Sequence, residues 1–371
     1  MSGSCNLACR YCAEAATQPP RGVMSEETLL SALYYLFSKK HPQTRCSIRL
    51  GSGEPLMAFP LLKKLAELID VEKRRDFFIA PEIFLTTNGT LADRHIRNWL
   101  VLSGWHIKLS IDGPEFIHDR WRVTRDGEGT FQKIIDVVTE FTQKIPERFS
   151  VTAVLCQDSP PDIVFQTLSN LGVRRIELVP VVHKDKAILP KTDDITHYEN
   201  FIQGYAESYI SQGTKLPTLI RFENRVRRVM GYDVKTLPCG AGRSFLGVAP
   251  DGGLYPCFRF IGVDSYYLGN LDDGLDTEAS ESFQLGPGRT FDRRAVCSSC
   301  WAAPLCGGPC FACSEMFGPG DGQPIEIQCA YILADAKAAV WLVDQLRKNN
   351  PERLLEFIPG SYKSYTQYIS K

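Results

Sequence analysis

The sequence lacks the features that mark nucleic-acid-binding, membrane and secreted proteins. Its 42 basic side chains are matched by 43 acidic ones, for a net charge of −1, which argues against binding to a polyanion. No apolar run has the length that spans a bilayer, and the N-terminus has neither the charged nor the apolar segment of a secretion signal. These absences predict a cytoplasmic protein that binds neither nucleic acid nor membrane.

Cysteine is abundant and unevenly placed. The chain has 371 residues, 44% of them hydrophobic, which is enough for a substantial core and two or three domains. Of its 13 cysteines, three lie at the N-terminus and eight between Cys239 and Cys329. In a reducing compartment, such clusters indicate metal or cluster ligands rather than disulfides.

The region between the cysteine-rich ends alternates strand and helix patterns. Strands are predicted within residues 46–55, 82–90, 106–114, 149–157 and 174–182, and helices within 25–39, 61–75, 92–104, 130–144 and 162–173. Ser25 and Asp93 are predicted N-caps. The alternation predicts a parallel sheet wrapped by helices, with ligand-facing groups at the carboxyl ends of the strands. The polar motifs that follow strands include Glu54, Asn88 and Asp112.

The stretch "GSCNLACRYCAE" places Cys5, Cys9 and Cys12 at the spacing C-x3-C-x2-C. Three thiolates on one loop suit iron-sulfur chemistry. A four-iron cubane held by three of them keeps one iron open, and that iron can chelate a small molecule through an amine and a carboxylate. The alternative is a zinc knuckle that lacks its fourth ligand.

The loop "CNLACRYC" resembles the signature loop of radical S-adenosylmethionine (SAM) enzymes. The resemblance implies an α/β fold, a partial (β/α)6 TIM-like barrel, and a [4Fe-4S] cluster held by Cys5, Cys9 and Cys12. In this family the cluster binds SAM and cleaves it to a 5'-deoxyadenosyl radical.

Further motifs extend the resemblance along the chain. "GSGEP" stands where the family has a glycine-rich segment that binds the methionine amino group, with a serine in place of the first glycine. "TTNGT", "LSIDGP" and "IHDRWR" match later cofactor-contacting positions. The residues thus expected to contact the cofactor are Tyr11, Ser52, Gly53, Glu54, Pro55, Asn88, Ser110, Asp112 and Arg122. Taken singly, ordinary turn chemistry explains each motif equally well, but their order and spacing favour the resemblance.

The cysteine loop begins unusually early. In the family a first barrel strand precedes it, whereas four residues precede Cys5 here, too few for a strand. We expect that this strand is missing from the chain, together with the small peptide-binding domain that many relatives carry. The alternative is a barrel that opens with an unpaired edge.

The later cysteines are similar to the seven-cysteine SPASM extension of radical SAM enzymes that modify peptides and proteins. The pattern runs from Cys239 through G-x4-C at Cys257 and C-x2-C-x5-C-x3-C to a final cysteine. By resemblance, an outer auxiliary [4Fe-4S] cluster is held by Cys297, Cys300, Cys306 and Cys329, and an inner one by Cys239, Cys257 and Cys310. Phe245 stands near the place of an additional inner cysteine in some relatives, so the inner cluster either keeps an open iron or is closed by Cys313. A zinc ribbon and a buried cysteine cluster are the alternatives.

These observations predict four segments. They are a radical SAM core barrel at residues 1–215, a helical linker at 216–236, a SPASM domain at 237–335, and a C-terminal helix and tail at 336–371. The basic segment "RFENRVRRVMG" at 221–231 is predicted to be a helix with a solvated face, or else a surface for an acidic leader peptide.

One residue separates the possible reactions. Sulfatase-maturating relatives place an aspartate, which acts as a base, directly after the G-x4-C cysteine, whereas this chain has Phe258 there. We therefore predict a maturase that forms thioether or carbon-carbon cross-links in a ribosomally made peptide. The alternatives are a sulfatase-maturating enzyme that forms formylglycine and an iron-sulfur electron-transfer protein. Expected partners are a precursor peptide or protein, a flavodoxin- or ferredoxin-like electron donor and a separate leader-binding protein.

Overall fold

A computed structural model describes residues 3–13, 22–39, 45–74, 79–234 and 237–358. The chain divides into two compact units. The first unit comprises Met1–Thr152, Leu171–Val173 and Gly240–Gly286, and the second comprises Ala153–Asn170, Arg174–Cys239 and Pro287–Lys371. Both units combine helices with strands.

Six strands form a sheet in which the spatial order follows the chain order. They are β1 Ser47–Leu50, β2 Glu82–Thr87, β3 His106–Ser110, β4 Phe149–Leu155, β5 Arg175–Pro180 and β6 Thr218–Leu219. The register is parallel, with Leu50 beside Leu85 and Leu109 beside Val151. The predicted parallel α/β sheet is confirmed, and β6 is a strand that sequence reasoning missed.

Four shorter strands form two antiparallel pairs. They are β7 Gly247–Val248 with β8 Leu254–Tyr255, and β9 Gly269–Asn270 with β10 Gly274–Leu275.

Of the described helices, one precedes the first strand, and the others lie between and after the strands. They are α1 Glu26–Lys39, α2 Phe59–Glu72, α3 Arg94–Leu102, α4 Glu115–Trp121, α5 Phe131–Lys144, α6 Pro161–Asn170, α7 Thr192–Gln212, α8 Ile220–Val229, α9 Thr277–Leu285, α10 Ala295–Ser298, α11 Ala303–Cys306, α12 Phe311–Phe317 and α13 Glu326–Asn349. The five helices predicted between the cysteine-rich ends all form. The predicted caps are also confirmed, since Asp93 accepts from the Ile96 amide at 2.8 Å and Ser25 from the Thr28 amide at 3.0 Å.

Alternating burial explains why these segments form strands. In β4 the buried residues occupy every second position, and Val151 and Ala153 have no exposed surface. The polar residues then come at the strand ends, where the apolar run stops: Thr87 ends β2 and Asn88 follows it, and Ser110 ends β3 with Asp112 two residues later. The carboxyl ends of parallel strands meet at one edge, so the fold collects these groups there.

The described sheet begins with β1, which follows the cysteine loop along the chain; the expectation of a missing first strand stays a prediction. The predicted segment boundaries also stay predictions, and the one between residues 335 and 336 falls inside α13. No helix in the described ranges is both long and apolar enough to cross a membrane.

Candidate active site

Backbone hydrogen bonds hold the cysteine loop against two other segments of the first unit. The amides of Ala8 and Arg10 donate to the carbonyls of Val123 and Trp121 at 2.8 and 2.9 Å, and the Glu54 amide donates to Ser4 O at 2.8 Å. The Arg125 guanidinium donates to Cys5 O at 2.8 Å. The loop is therefore fixed both to the end of α4 and to the turn after β1.

The three thiols of this loop lie close enough to influence one another. Burial raises the pKa of Cys9 to about 11, the Arg122 cation opposes this, and anionic Cys12 and Cys5 raise it further. Burial also raises the pKa of Cys5, and the Leu7 amide lowers it. Three thiolates here would repel one another, so a cation among them is needed to keep all three deprotonated. This donor set fits a thiolate-bound iron cluster.

Glu54 uses its carboxylate within the protein. It is 1% exposed. Its Oε1 accepts from Thr87 Oγ1 at 2.7 Å and from the Leu56 amide at 2.9 Å, and its Oε2 accepts from the Asn88 amide at 2.7 Å. Burial raises the pKa of Glu54 while these donors lower it. The side chain thus joins the "GSGEP" turn to the end of β2, while the Glu54 amide donates to Ser4 O and the Glu54 carbonyl accepts from the Met57 amide.

Asn88 likewise connects the end of β2 to the cysteine loop. Its Nδ2 donates to Asn6 Oδ1 at 3.0 Å and lies 3.8 Å from Cys5 Sγ, while its Oδ1 accepts from the Thr90 amide at 2.9 Å. The Asn6 amide group in turn donates to Thr90 Oγ1 at 2.8 Å. Asn88 therefore supports the position of Cys5.

A buried ionic group lies beside Cys9. Asp112 Oδ2 accepts from the Tyr11 hydroxyl at 2.7 Å and from Arg122 Nε at 3.1 Å. Arg122 Nη1 lies 4.0 Å from Cys9 Sγ. Burial alone would lower the pKa of Arg122, but Tyr11 and the Asp112 carboxylate reverse this and raise it, so Arg122 stays charged. The arrangement holds a cation next to Cys9, a predicted cluster ligand.

His118 is a supporting residue that sequence reasoning missed, although it lies in the quoted "IHDRWR". Its Nδ1 accepts from the Asp112 amide at 3.3 Å, so its Nε2 carries the hydrogen and donates to Thr130 Oγ1 at 3.0 Å. The Thr130 hydroxyl donates to Arg122 O at 2.9 Å. Burial, and then the Arg122 cation, lower the pKa of His118 to about 3. His118 is therefore a neutral residue that positions both Asp112 and Arg122.

The remaining predicted contacts lie at the same strand ends. Ser52 and Gly53 both have positive φ, 85° and 58°, and Pro55 is buried at the start of a short 3-10 turn. Ser110 ends β3 and is 8% exposed. The contacts predicted between these residues and a cofactor stay predictions.

Comparison with known protein families identifies the domain that contains these residues. Residues 1–163 match the radical SAM superfamily. The chain contains a radical SAM domain. The domain spans the cysteine loop, the "GSGEP" turn and the Tyr11–Asp112–Arg122 group. Within the ranges described, no three His, Cys, Asp or Glu side chains have the geometry of a site for a single metal ion. A cubane has a different requirement, because each cysteine binds a separate iron.

The similarity extends well beyond that domain. The chain is 25% identical over 341 residues to the cysteine-type anaerobic sulfatase-maturating enzyme of Clostridium perfringens strain ATCC 13124, covering 85% of this chain and 88% of the relative. Among solved structures, native anSMEcpe with bound AdoMet superposes with a TM-score of 0.76 at 20% identity, over 94% of this chain and 97% of that one. The radical SAM fold is thus confirmed over nearly the whole chain.

The prediction of a cross-link-forming maturase is wrong. Similarity over most of the chain is to sulfatase-maturating enzymes, whereas SuiB from Streptococcus suis bound to S-adenosylmethionine has a TM-score of 0.58 at 16% identity, over 88% of this chain and 75% of that one. The prediction gave decisive weight to Phe258 in place of a carboxylate, together with the likeness of the surrounding stretch, residues 239–262, to enzymes that form cross-links. One side chain is weaker evidence than an alignment of 341 residues.

The second unit brings together the four cysteines predicted for the outer auxiliary cluster. Cys297 lies in α10, Cys306 ends α11, and Cys329 lies in the first turn of α13. Burial raises the pKa of Cys329 to about 12, with further increases from the anionic forms of Cys306, Cys297 and Cys300. These four thiols are therefore neighbours.

The inner set is divided between the two units. Cys257 belongs to the first unit, whereas Cys239 and Cys310 belong to the second and line one cavity together with Cys306. Cys313 is buried in α12, 3% exposed. The predicted inner ligand set and the role of Cys313 stay predictions.

Proposed function

We propose that this radical SAM enzyme is a cysteine-type sulfatase-maturating enzyme, which oxidises a cysteine side chain of a protein substrate to formylglycine. The observation that carries the proposal is the 25% identity to such an enzyme over 85% of this chain and 88% of the relative. Solved structures of anSMEcpe hold AdoMet together with peptides named Kp18Cys and Cp18Cys. A cysteine-containing peptide is therefore the substrate class to test first.

When bound, the cluster and SAM supply a radical that can remove hydrogen from an unactivated C–H bond. Cys5, Cys9 and Cys12 would hold the cluster. Arg122 keeps positive charge beside Cys9, and Asp112 with Tyr11 fixes the guanidinium in place. Within the "GSGEP" turn Glu54 has a structural role, because its carboxylate binds the end of β2 and its amide donates to Ser4 O. The chain thus supplies position and electrostatics for the reaction.

Two auxiliary clusters complete the proposal. Cys297, Cys300, Cys306 and Cys329 would hold the outer one, supported by their mutual proximity. Cys239, Cys257 and Cys310 would hold the inner one, with Cys313 as the candidate to close it. The auxiliary clusters would take up the electron that the substrate loses after its hydrogen atom has been removed.

In the proposed oxidation the substrate cysteine would lose a hydrogen atom from its Cβ, one electron and one proton; water would supply the aldehyde oxygen, and the sulfur would leave as hydrogen sulfide. Phe258 cannot accept the proton. Phe258 is 37% exposed, with the Arg259 guanidinium 5.2 Å from its ring centroid. Another group or water must act as the base. Replacing Phe258 with aspartate should therefore accelerate formylglycine formation, whereas Phe258→Leu should not.

The proposed reaction requires a low-potential electron donor of the flavodoxin or ferredoxin type and a reducing compartment, so we place the protein in the cytoplasm. A protein substrate is the partner that the relatives favour. The cysteine usage supports the same compartment.

The direct test is an anaerobic assay with reconstituted enzyme, SAM and a sulfatase-derived peptide that carries the target cysteine. Formation of 5'-deoxyadenosine and the mass change from CH2SH to CHO are expected together. Matched peptides with serine and alanine at the target position define the specificity. Release of 5'-deoxyadenosine without change in the mass of the cysteine or serine peptide would overturn the proposal.

A further inference from the structure

We propose that Arg225, Arg228 and Arg294, here called the arginine trio, balance the negative charge of the outer auxiliary cluster and raise its reduction potential. This inference rests on the proposed function, because it assumes a cluster on Cys297, Cys300, Cys306 and Cys329. It concerns residues of the second unit alone.

The basic helix α8 directs arginines inward. Arg221, Arg225 and Arg228 are spaced four and three residues apart, which places them on one helix face. Together with Cys239, Cys306 and Cys310 they line a cavity of about 240 Å³. Arg225 is 8% exposed, so the prediction of a solvated face is wrong at this residue.

Two members of the trio meet at the residue before Cys306. Arg225 Nη1 and Arg228 Nη1 both donate to Leu305 O, the latter at 2.7 Å, and the Nε atoms of both are buried without a partner. Burial lowers the pKa of Arg228 to about 10, as does neighbouring Arg225, while the Cys306 thiolate raises it. Arg228 therefore stays charged at neutral pH, and both guanidinium groups lie beside the carbonyl of the residue before Cys306.

Arg294 approaches the same thiols from another side. It has no exposed surface, and its Nε and Nη1 donate to Gly288 O at 2.6 Å and to Pro309 O at 3.0 Å. Burial lowers the pKa of Arg294, and the anionic forms of Cys297 and Cys306, which lie close enough to act on the guanidinium, oppose this. A Cβ on Gly308 would lie 2.6 Å from Arg294 Nη1, so glycine at this position makes room for the guanidinium.

Among the described residues, no carboxylate lies within ion-pair distance of the trio. In the described part of the chain no ion pair joins any of its members to an acidic side chain, although Asp335 and Asp233 act on Arg225 and Arg228 from farther away. Asp335 is itself buried and accepts from the Tyr198 hydroxyl at 2.7 Å. Buried, unpaired charges are strongly destabilising. A cluster with four thiolate ligands carries net negative charge and is the counter-ion that these cations need.

Positive charge near a cluster favours its reduced, more negative state. Removing one arginine should therefore make the outer cluster harder to reduce, without removing any of its ligands. This effect is electrostatic, because charged groups around the ligands commonly tune the reduction potential of a cluster.

The test uses the full chain with Cys5, Cys9 and Cys12 replaced by alanine, so that only auxiliary clusters load. Arg225→Met and Arg228→Met are each compared with Arg225→Lys, which keeps the charge. Arg227→Met is the matched control on the same helix, since Arg227 binds Glu223 and Phe357 O and does not line the cavity. The readouts are iron content and a reduction titration followed by electron paramagnetic resonance.

We expect about eight irons per chain in this background. At fixed potential, the oxidised-to-reduced ratio should rise at least tenfold in Arg225→Met or Arg228→Met, which is about 59 mV for a one-electron couple. In Arg225→Lys and Arg227→Met, the reduction potential of the outer cluster should stay close to that of the background chain. Unchanged potentials in both methionine variants would overturn the inference. If Arg225→Met fails to fold, Arg228→Met decides the question alone, because Arg228 is only half-buried.

Failure of the proposed function would give a different result in this experiment from failure of the arginine trio alone. A background chain that binds no iron has no auxiliary clusters, and both ideas then fall together. Normal iron content with unchanged potentials rejects only the arginine trio.

Discussion

The cysteine loop of the first unit and the four-cysteine set of the second both place buried thiols near arginine, but they balance its charge differently. Arg122 lies 4.0 Å from Cys9 Sγ and pairs with Asp112 at 3.1 Å. Arg225, Arg228 and Arg294 instead donate to backbone carbonyls. The first site is electrostatically complete without its cluster, whereas the second contains positive charge that still needs an anion.

This difference suits two kinds of cluster site. A loop that must exchange SAM at every turnover benefits from a charge arrangement that persists when the ligand leaves. A permanently bound electron carrier can serve as part of the structure, as structural metal sites do. We therefore expect iron loading to stabilise the second unit more than the first.

The largest effect separates the two sites by activity. Cys9→Ala should abolish SAM cleavage, because the cluster loses one of its three ligands, whereas Cys329→Ala should leave cleavage measurable and reduce the iron content by about four per chain. Production of 5'-deoxyadenosine and iron analysis of both variants check this. Normal cleavage by Cys9→Ala would remove the catalytic role of the loop.

The next effect concerns the balanced charge pair of the first unit. Arg122→Met removes the guanidinium that pairs with the buried Asp112 carboxylate at 3.1 Å, so the free energy of unfolding should fall by about 3–5 kcal/mol. Arg227→Met breaks a more exposed pair with Glu223 and should cost about 1 kcal/mol or less. Denaturant titrations under anaerobic conditions compare the two. Equal losses of unfolding free energy would mean that the buried Arg122–Asp112 pair contributes no more to stability than the exposed Arg227–Glu223 pair.

A smaller effect tests whether His118 stays neutral. Its pKa is about 3 in the folded chain and about 6.5 when unfolded, so the unfolded state takes up the proton as the pH falls. Stability that is fully present above pH 6.5 should be lost progressively below it, by about 1.4 kcal/mol between pH 7.5 and 5.5. His118→Asn should show a weaker loss over this range. An identical loss in the variant would assign the pH dependence to other groups.

The sheet was predictable because its signals are local. Each of β1 to β5 is an apolar run that stops at a polar turn, and the helices between them have clear periodicity. Helix α7 was missed, although its buried residues Tyr198, Ile202, Tyr205 and Tyr209 have helical spacing. Three of these four are tyrosines, so the apolar face is less evident from sequence.

The site was predictable as a set of positions but not as a set of contacts. The Glu54 carboxylate binds Thr87 and Asn88, more than thirty residues away in sequence, and no local pattern reveals such a bond. The basic helix α8 was misread for the same reason, since a row of arginines normally faces solvent. Only the packing of α8 against other elements shows that Arg225 is buried.

The smallest effect concerns the serine in the "GSGEP" turn. Ser52 has φ of 85°, in the region that favours glycine, so it stores backbone strain in a turn that is predicted to contact SAM. Ser52→Gly should relieve this strain, offset in part by the greater freedom of glycine in the unfolded chain, and raise the free energy of unfolding by about 0.5–1 kcal/mol. Asp158, at φ of 56°, is the control, because aspartate tolerates this region and Asp158→Gly should gain less. Denaturant titration of both variants decides the point: a loss of stability in Ser52→Gly would mean that the serine side chain contributes more than its backbone strain costs.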